Sequence, residues 1–377
     1  MKILVAGDFC PQNRVAEVFT REDFEFVLGD VKEIIADADY SIVNFECPVT
    51  KGGEEPIEKC GPNLQCSEIG MEAVKWAGFD CVTLANNHFL DYGKEGVENT
   101  LEACEKYVVD TVGGGMTLKE ASKILYKEID GMTLAIINCC EHEFSIATDE
   151  TSGSNPLDPI QQYYAIHEAR TKADIILVIV HGGNEHYRLP SLRMQNIYRF
   201  FVDAGADAVV NHHQHCYSGY EIYNGKPIFY GLGNFLFDAD CYRKSAWNEG
   251  YMVLLNFVKG KPINQKLYPY VQCDNVPGIR LMDEDNQFYF EKQMKLLCED
   301  IQDKKTIENK YKVWVEANSK WILSLFEPYS SRLAKSLLFR GFLPSYLKGE
   351  RLNMLLNYLL CESHFDRVKH MLQSIKK

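Results

Sequence analysis

The sequence has no run of about 18 apolar residues, and so offers no membrane-spanning helix. Its first residues, Met1-Lys2-Ile3-Leu4-Val5-Ala6-Gly7-Asp8, meet a carboxylate too early to hold the apolar core of a signal peptide. They read instead as a buried first strand. Together these two absences predict a cytoplasmic chain. No CxxC pair occurs among the 13 cysteines; Cys139 and Cys140 are adjacent, and Cys60 and Cys66 are poorly spaced for zinc. An odd count without a secretion signal points to free thiols that pack rather than ligate. Positive charge is also scarce. A net charge of -13 argues against a nucleic-acid partner. There is no internal repeat and no low-complexity segment.

What is present is a chain of 377 residues, 46% of them hydrophobic, which is enough for a large packed core and argues against disorder. Its charge is uneven. Residues 301–377 hold 14 Lys and Arg against 7 Asp and Glu, whereas the first 300 hold 26 against 46. That shift, with a change of periodicity, predicts an α/β domain over 1–280 and a helical C-terminal extension over 281–377.

Across residues 1–240 short apolar runs alternate with helical patterns, the signature of βα units and a largely parallel sheet. Strands are predicted at Lys2–Ala6, Tyr40–Asn44, Cys81–Leu84, Tyr107–Thr111, Thr133–Asn138, Ile175–Val180, Ala208–Val210 and Lys226–Tyr230. The helices between them include Ser67–Ala77, Gly93–Tyr107, Ile160–Thr171 and Ser191–Ala204. Tyr251–Val258 and Pro262–Val271, flanking Lys259-Gly260-Lys261, read as a β-hairpin. After about Phe288 the pattern is helical, with breaks near Pro328 and Pro344 and an apolar stripe at Leu352, Leu355, Leu356, Leu359 and Leu360.

The polar residues at the strand ends carry the functional signal. Asp8 closes the first strand. Asn44 and Glu46 close the second, and Asn86, Asn87 and His88 the third, followed by Asp91. His181 ends the apolar strand Ile175–Val180, and His212, His213 and His215 follow Ala208–Val210. Five strands thus deliver Asp, Glu, Asn or His to the carboxyl edge, where open α/β sheets bind ligands, and five of the ten histidines fall in this set. Each has an ordinary structural explanation taken singly, such as a turn or a hydrogen-bonded buried ring. The histidine triplet is harder to explain that way, because crowded imidazoles repel when protonated and a cation binds their neutral form. Carboxylate, amide and imidazole without thiolate suit Mn, Fe or Zn. His142, after Thr133–Asn138, is a further candidate for substrate contact, and His186 reads as a solvated loop residue.

These residues resemble the CapA family of bacterial capsule and poly-γ-glutamate biosynthesis proteins, a branch of the calcineurin-like metallophosphoesterases. The likeness covers roughly 1–240. It lies in Gly7-Asp8, the Asn-x-Glu-x-Pro run at Asn44–Pro48, Leu84–His88 with Asp91-Tyr92-Gly93, His181-Gly182, Asp203–Asp207, the histidine triplet and Gly231-Leu232-Gly233-Asn234-Phe235. It implies a two-sheet α/β sandwich flanked by helices, and hydrolysis assisted by two divalent metal ions. Asp8, Glu46, Asn87, His181, His213 and His215 would be ligands, with Asp8 or Glu46 bridging and Asp8 sharing in catalysis. His88 would act as acid or charge stabiliser. Asn44, Asn86, Asp91, His212 and Asn234 would meet substrate. Two departures stand out. Asn211-His212-His213-Gln214-His215 replaces the family's Gly-His-His-Pro-His, and Asp8-Phe9-Cys10 lacks the Asp-x-His pair of ordinary metallophosphoesterases, which leaves the second metal position open.

Two functions follow from this likeness. One is a hydrolase of a phosphoester or amide bond in an anionic envelope polymer or its precursor. The other is a non-catalytic assembly or polymer-binding factor whose basic helices reach a membrane-bound synthase or an anionic surface. A closed-barrel amidohydrolase would need eight parallel βα units, which the hairpin near Gly260 does not fit.

Overall fold

The computed structural model describes residues 1–318 and 320–375. Its strands, in chain order, are β1 (Lys2–Cys10), β2 (Tyr40–Phe45), β3 (Cys81–Thr83), β4 (Asp110–Val112), β5 (Gly114–Gly115), β6 (Leu125–Ile129), β7 (Met132–Cys140) and β8 (Gly153–Ser154). They continue with β9 (Ile175–His181), β10 (Ala208–His212), β11 (Tyr220–Tyr223), β12 (Lys226–Phe229), β13 (Asn234–Phe237), β14 (Glu249–Asn256), β15 (Asn264–Gln272) and β16 (Ile279–Leu281).

All but β5 and β8, which pair with each other alone, make two mixed sheets flanked by helices. One has the order β16-β15-β14-β1-β2-β3-β4, with β13 also on β1; the other has the order β11-β12-β10-β9-β7-β6. Each contains a parallel set, β1 to β4 and β7-β9-β10-β12. Antiparallel strands extend these sets, β14 to β16 in the first sheet and β6 and β11 in the second, so the sheets are less purely parallel than the sequence pattern predicts. The predicted hairpin is β14 and β15, paired antiparallel from Glu249↔Val271 to Asn256↔Asn264. The short edge strands β6, β11 and β16 have too little apolar pattern to be read from sequence.

β1 changes partner along its length, and this positions the site. Its first half pairs antiparallel with β14 from Lys2 to Val5; at Asp8 the same edge passes to β13, in parallel. The ladder shifts register around Asp8 on both sides. Close approach of the turn before β13 requires Gly7: a Cβ there would lie 1.9 Å from the Gly233 carbonyl oxygen.

The helices follow from apolar stripes. Phe24–Ala36 starts at Asp23, which accepts from the Phe26 amide at 3.2 Å, and buries Phe24, Val27, Leu28, Val31 and Ile35. Each such buried side chain contributes roughly 1.5–3 kcal/mol. Compactness divides the chain into units 1–307 and 308–377. The sequence places a boundary near 280; the first unit runs further because helix Glu284–Gln302 buries Phe290, Met294, Leu297 and Ile301.

The second unit is helical, with elements at Lys320–Leu325, Arg332–Phe339, Gly349–Leu360 and Glu362–Ile375. Among the described residues no helix is long and apolar enough to cross a membrane.

Candidate metal centre

The parallel strands of both sheets end at one rim, and the side chains named from sequence meet there. Asp8, Glu46, Asn87, His88, His181, His212, His213 and His215 are all buried. β10 ends in a sharp bend, with His213 at φ 90° and His215 at φ 55°. Left-handed backbone at a non-glycine residue costs roughly 1–3 kcal/mol and persists only where the surroundings hold it. Here the His213 amide donates to Asp8 Oδ2 at 3.3 Å. Asn211, which sequence reasoning passed over, pins the end of β10. Its Nδ2 donates to the carbonyls of Gly182 (2.9 Å) and Tyr230 (3.0 Å), and its Oδ1 accepts from the Tyr198 hydroxyl at 2.6 Å.

Two donor groups overlap at Glu46. One is Glu46, His181 and His213; the other is Asp8, Glu46 and His215; in each the ligand atoms lie within 4.8 Å of one another. His181 Nε2 is 3.4 Å from Glu46 Oε1, 3.1 Å from His213 Nδ1 and 3.0 Å from Asn87 Oδ1. His215 lies 3.7 Å from Glu46 Oε1 through Nε2 and 3.6 Å from Asp8 Oδ2 through Nδ1.

These atoms fit a cation. Both Glu46 carboxylate oxygens and both His212 ring nitrogens are buried without a hydrogen-bond partner, an arrangement that costs several kcal/mol unless something neutralises it. His181 Nε2 carries at most one proton, yet three acceptor-type atoms crowd it. A divalent ion satisfies such a set, and oxygen and imidazole donors without thiolate fit Mn, Fe or Zn.

Electrostatics agree with this. Burial first, then the Glu46 charge, raises the Asp8 carboxyl well above its usual range. Burial pushes Glu46 up to about 7, against the opposing pull of His215. Burial lowers His181, His213 and His215, and burial with the neighbouring His181 brings His212 down to about 3. The imidazoles are therefore neutral, as ligands must be.

The residues expected at substrate have other work inside the site. Asn44 is buried; its Nδ2 donates to Asp8 Oδ1 at 2.8 Å, and its Oδ1 accepts from Thr83 Oγ1 at 3.1 Å. Asn86 donates to the Phe45 carbonyl at 2.9 Å and accepts from the His88 amide at 3.0 Å. Asn234 Oδ1 meets His215 Nδ1 at 2.9 Å, and its Nδ2 donates to the Trp247 carbonyl at 3.2 Å, so the first residue of β13 braces the His215 ring. His212 Nδ1 lies 3.5 Å from Asp8 Oδ1, within the donor cluster. Asp91 accepts from the Leu64 amide and meets His88 Nδ1, each at 2.6 Å. Full burial and committed polar atoms make Asn44, Asn86, Asp91 and Asn234 props for their neighbours.

Three groups come from outside the sequence-derived set. Lys59, whose side chain is only 1% exposed, is ion-paired with Asp91 and lies 3.1 Å from His88 Nδ1. A lysine in the Gly- and Pro-rich stretch 51–64 carries no motif that would have marked it. Glu143, from the Glu141-His142-Glu143 loop, accepts from Asn87 Nδ2 at 2.8 Å, whereas His142 is exposed. Trp247 packs on His215 with ring centroids 4.6 Å apart, and Tyr242 and His186 continue this aromatic wall outward.

Comparison with known proteins follows from this geometry. The family model described as bacterial capsule synthesis protein PGA_cap matches residues 2–239. The capsule biosynthesis protein CapA of Bacillus anthracis is 33% identical over 246 residues, covering 63% of this chain and 60% of that protein. The PGA biosynthesis protein CapA of Bacillus subtilis (strain 168) is 35% identical over 235 residues, covering 62% of each. The chain thus spans about three fifths of the length of these curated relatives. Among solved structures, a phosphatase from Mycoplasma pneumoniae is similar at a TM-score of 0.46 and 15% identity, covering 73% of this chain and 95% of that one. A 5'-nucleotidase from Staphylococcus aureus, described as putative, is similar at 0.45 and 15%, covering 78% of this chain and 58% of that one.

Proposed function

The chain belongs to the bacterial capsule synthesis protein family, and from that premise we propose that it is a metal-dependent hydrolase. Its substrate would be a phosphoester or amide bond in a capsule-type or poly-γ-glutamate polymer or its precursor. One observation carries this reading: two donor groups that share Glu46 lie beside a buried histidine already paired with a carboxylate.

Asp8, Glu46, Asn87, His181, His213 and His215 would hold up to two divalent ions, with His212 adjacent. When bound, such ions lower the pKa of water and neutralise charge at the attacked centre. The chain's own contribution lies at His88. Asp91 Oδ2 accepts from Nδ1 at 2.6 Å, and Lys59 holds the other Asp91 oxygen. This fixes the proton on Nδ1 and leaves Nε2 for substrate. As the imidazolium, His88 would give its Nε2 proton to the departing oxygen or nitrogen, while Asp91 keeps the Nδ1 proton in place. Burial of the surrounding side chains strengthens each of these interactions by excluding water.

The test is a screen of the metal-reconstituted chain against phosphoesters, γ-glutamyl amides and capsule oligosaccharides. Metal-dependent turnover lost in Asp8→Ala supports the reading. Full metal occupancy with no turnover on any class counts against catalysis.

A second reading, a polymer-binding or assembly factor without catalysis, draws on the C-terminal helices. Among the described residues of 308–375 no apolar side chain is buried, while Trp321, Leu333, Phe342, Leu356, Leu360 and Ile375 are exposed. Residues 331–377 hold 9 Lys and Arg against 3 Asp and Glu. Short helices with open apolar faces are marginal in water on their own. A basic, apolar surface suits an anionic bilayer or a synthase within it. Co-sedimentation of the full chain with phosphatidylglycerol vesicles, reduced by Leu356→Glu, is the expected result; failure to sediment at low salt removes this docking role.

A further inference from the structure

We propose that Glu143 is the residue that makes Asn87 a metal ligand. This rests on the metal-centre reading and adds a positioning residue to it. An asparagine amide has a donating end and an accepting end, and only Oδ1 can bind a cation. An ionised carboxylate only accepts, so Glu143 Oε2, 2.8 Å from Asn87 Nδ2, fixes which end is which. The amide NH2 group faces Glu143, and Oδ1 is turned inward, 3.0 Å from His181 Nε2.

The reversed amide would be self-blocking. Asn87 Nδ2 would then face His181 Nε2 at donor distance and close the donor cluster with an internal hydrogen bond. Glu143 opposes that arrangement, because reversal would bring amide oxygen against carboxylate oxygen.

Glu143 is itself held firmly. The Glu141 amide donates to the His181 carbonyl at 3.0 Å, and the Glu143 amide donates to the Glu141 carbonyl at 2.9 Å. On the other side, the Leu90 amide donates to Ser145 Oγ at 3.2 Å. The segment after β7 therefore joins the end of β9, which carries His181, to the 86–91 loop, which carries Asn87 and His88. Residues that orient ligands in this way typically contribute 10–100-fold in metal affinity.

The test is calorimetric titration of chelator-treated full-length protein with Mn(II), alongside its thermal midpoint without metal. Glu143→Ala should weaken Mn(II) binding by about 10–100-fold and leave the metal-free midpoint at the wild-type value. Glu143→Gln keeps an accepting oxygen and should recover most of the affinity, and Glu143→Ala added to Asn87→Ala should cost nothing further. Wild-type affinity in Glu143→Ala overturns the proposal, as does a Glu143→Gln variant as weak as Glu143→Ala. A wild-type chain that takes up no metal overturns the metal-centre reading as well, so the two failures are distinguishable.

Discussion

His88 and Asp91 form a buried pair three residues apart, with Nδ1 2.6 Å from Oδ2, and the ammonium of Lys59 closes the group from a different loop. The ring is therefore oriented by its neighbours before any substrate arrives. His88→Ala should lower kcat by about 10²–10⁴-fold, the usual contribution of a positioned acid or base. Metal content, read by elemental analysis, should stay at the wild-type level. Loss of metal in this variant would place His88 among the ligands instead.

Lys59 and Asp91 should behave as one unit. Removing one member of a buried ion pair strands the other, at a cost of roughly 3–5 kcal/mol. Lys59→Met alone should therefore lower the thermal midpoint clearly. The double variant Lys59→Met/Asp91→Asn should be destabilised by less than the sum of the single changes. Simple additivity in differential scanning calorimetry would contradict the coupling.

Glu46 belongs to both donor groups, whereas His213 and His215 each belong to one. Glu46→Gln should abolish metal uptake at both positions, while His213→Ala and His215→Ala should each spare the other position. Metal stoichiometry after dialysis distinguishes these outcomes. Equal loss in all three variants would point to a single ion.

The metal-free protein should be most stable near neutral pH. His181, His212, His213 and His215 are all lowered from the ordinary value of about 6.5. The unfolded chain therefore binds more protons below that pH, and stability is lost on acidification. Asp8 and Glu46 are raised, Glu46 to about 7. The folded state thus holds their protons longer, and stability falls again as pH rises through about 7. Saturating Mn(II) should remove the alkaline loss, because the ion takes the place of those protons. Thermal midpoints from pH 5 to 9 with and without Mn(II) test this, and an alkaline limb unchanged by metal would refute it.

The convergence of the candidate ligands is legible in the sequence. Asp8, Glu46, Asn87, His181, His213 and His215 could be named because strand ends are readable from apolar runs, and parallel strands deliver their carboxyl ends to one edge. Asn44, Asn86, Asp91 and Asn234 were named as substrate contacts, and in the structure their polar atoms bond to neighbours within the rim. Sequence puts a polar residue at a rim but does not say whether its hydrogen bonds point outward or to a neighbour. Asn86 shows the difference, since both ends of its amide are taken up by Phe45 and His88. Glu143 was visible only as part of an acidic loop, and Lys59 not at all.

The order of residues along the chain by itself determined the strands, their polar ends and the donor chemistry, because periodicity and residue type are local properties. Only the tertiary structure decided that Glu46 falls in both donor groups, that Lys59 stands behind His88, and that Glu143 hydrogen-bonds Asn87. Those facts depend on distances between loops from separate strands. The packing of the two sheets sets such distances, and no local pattern encodes them.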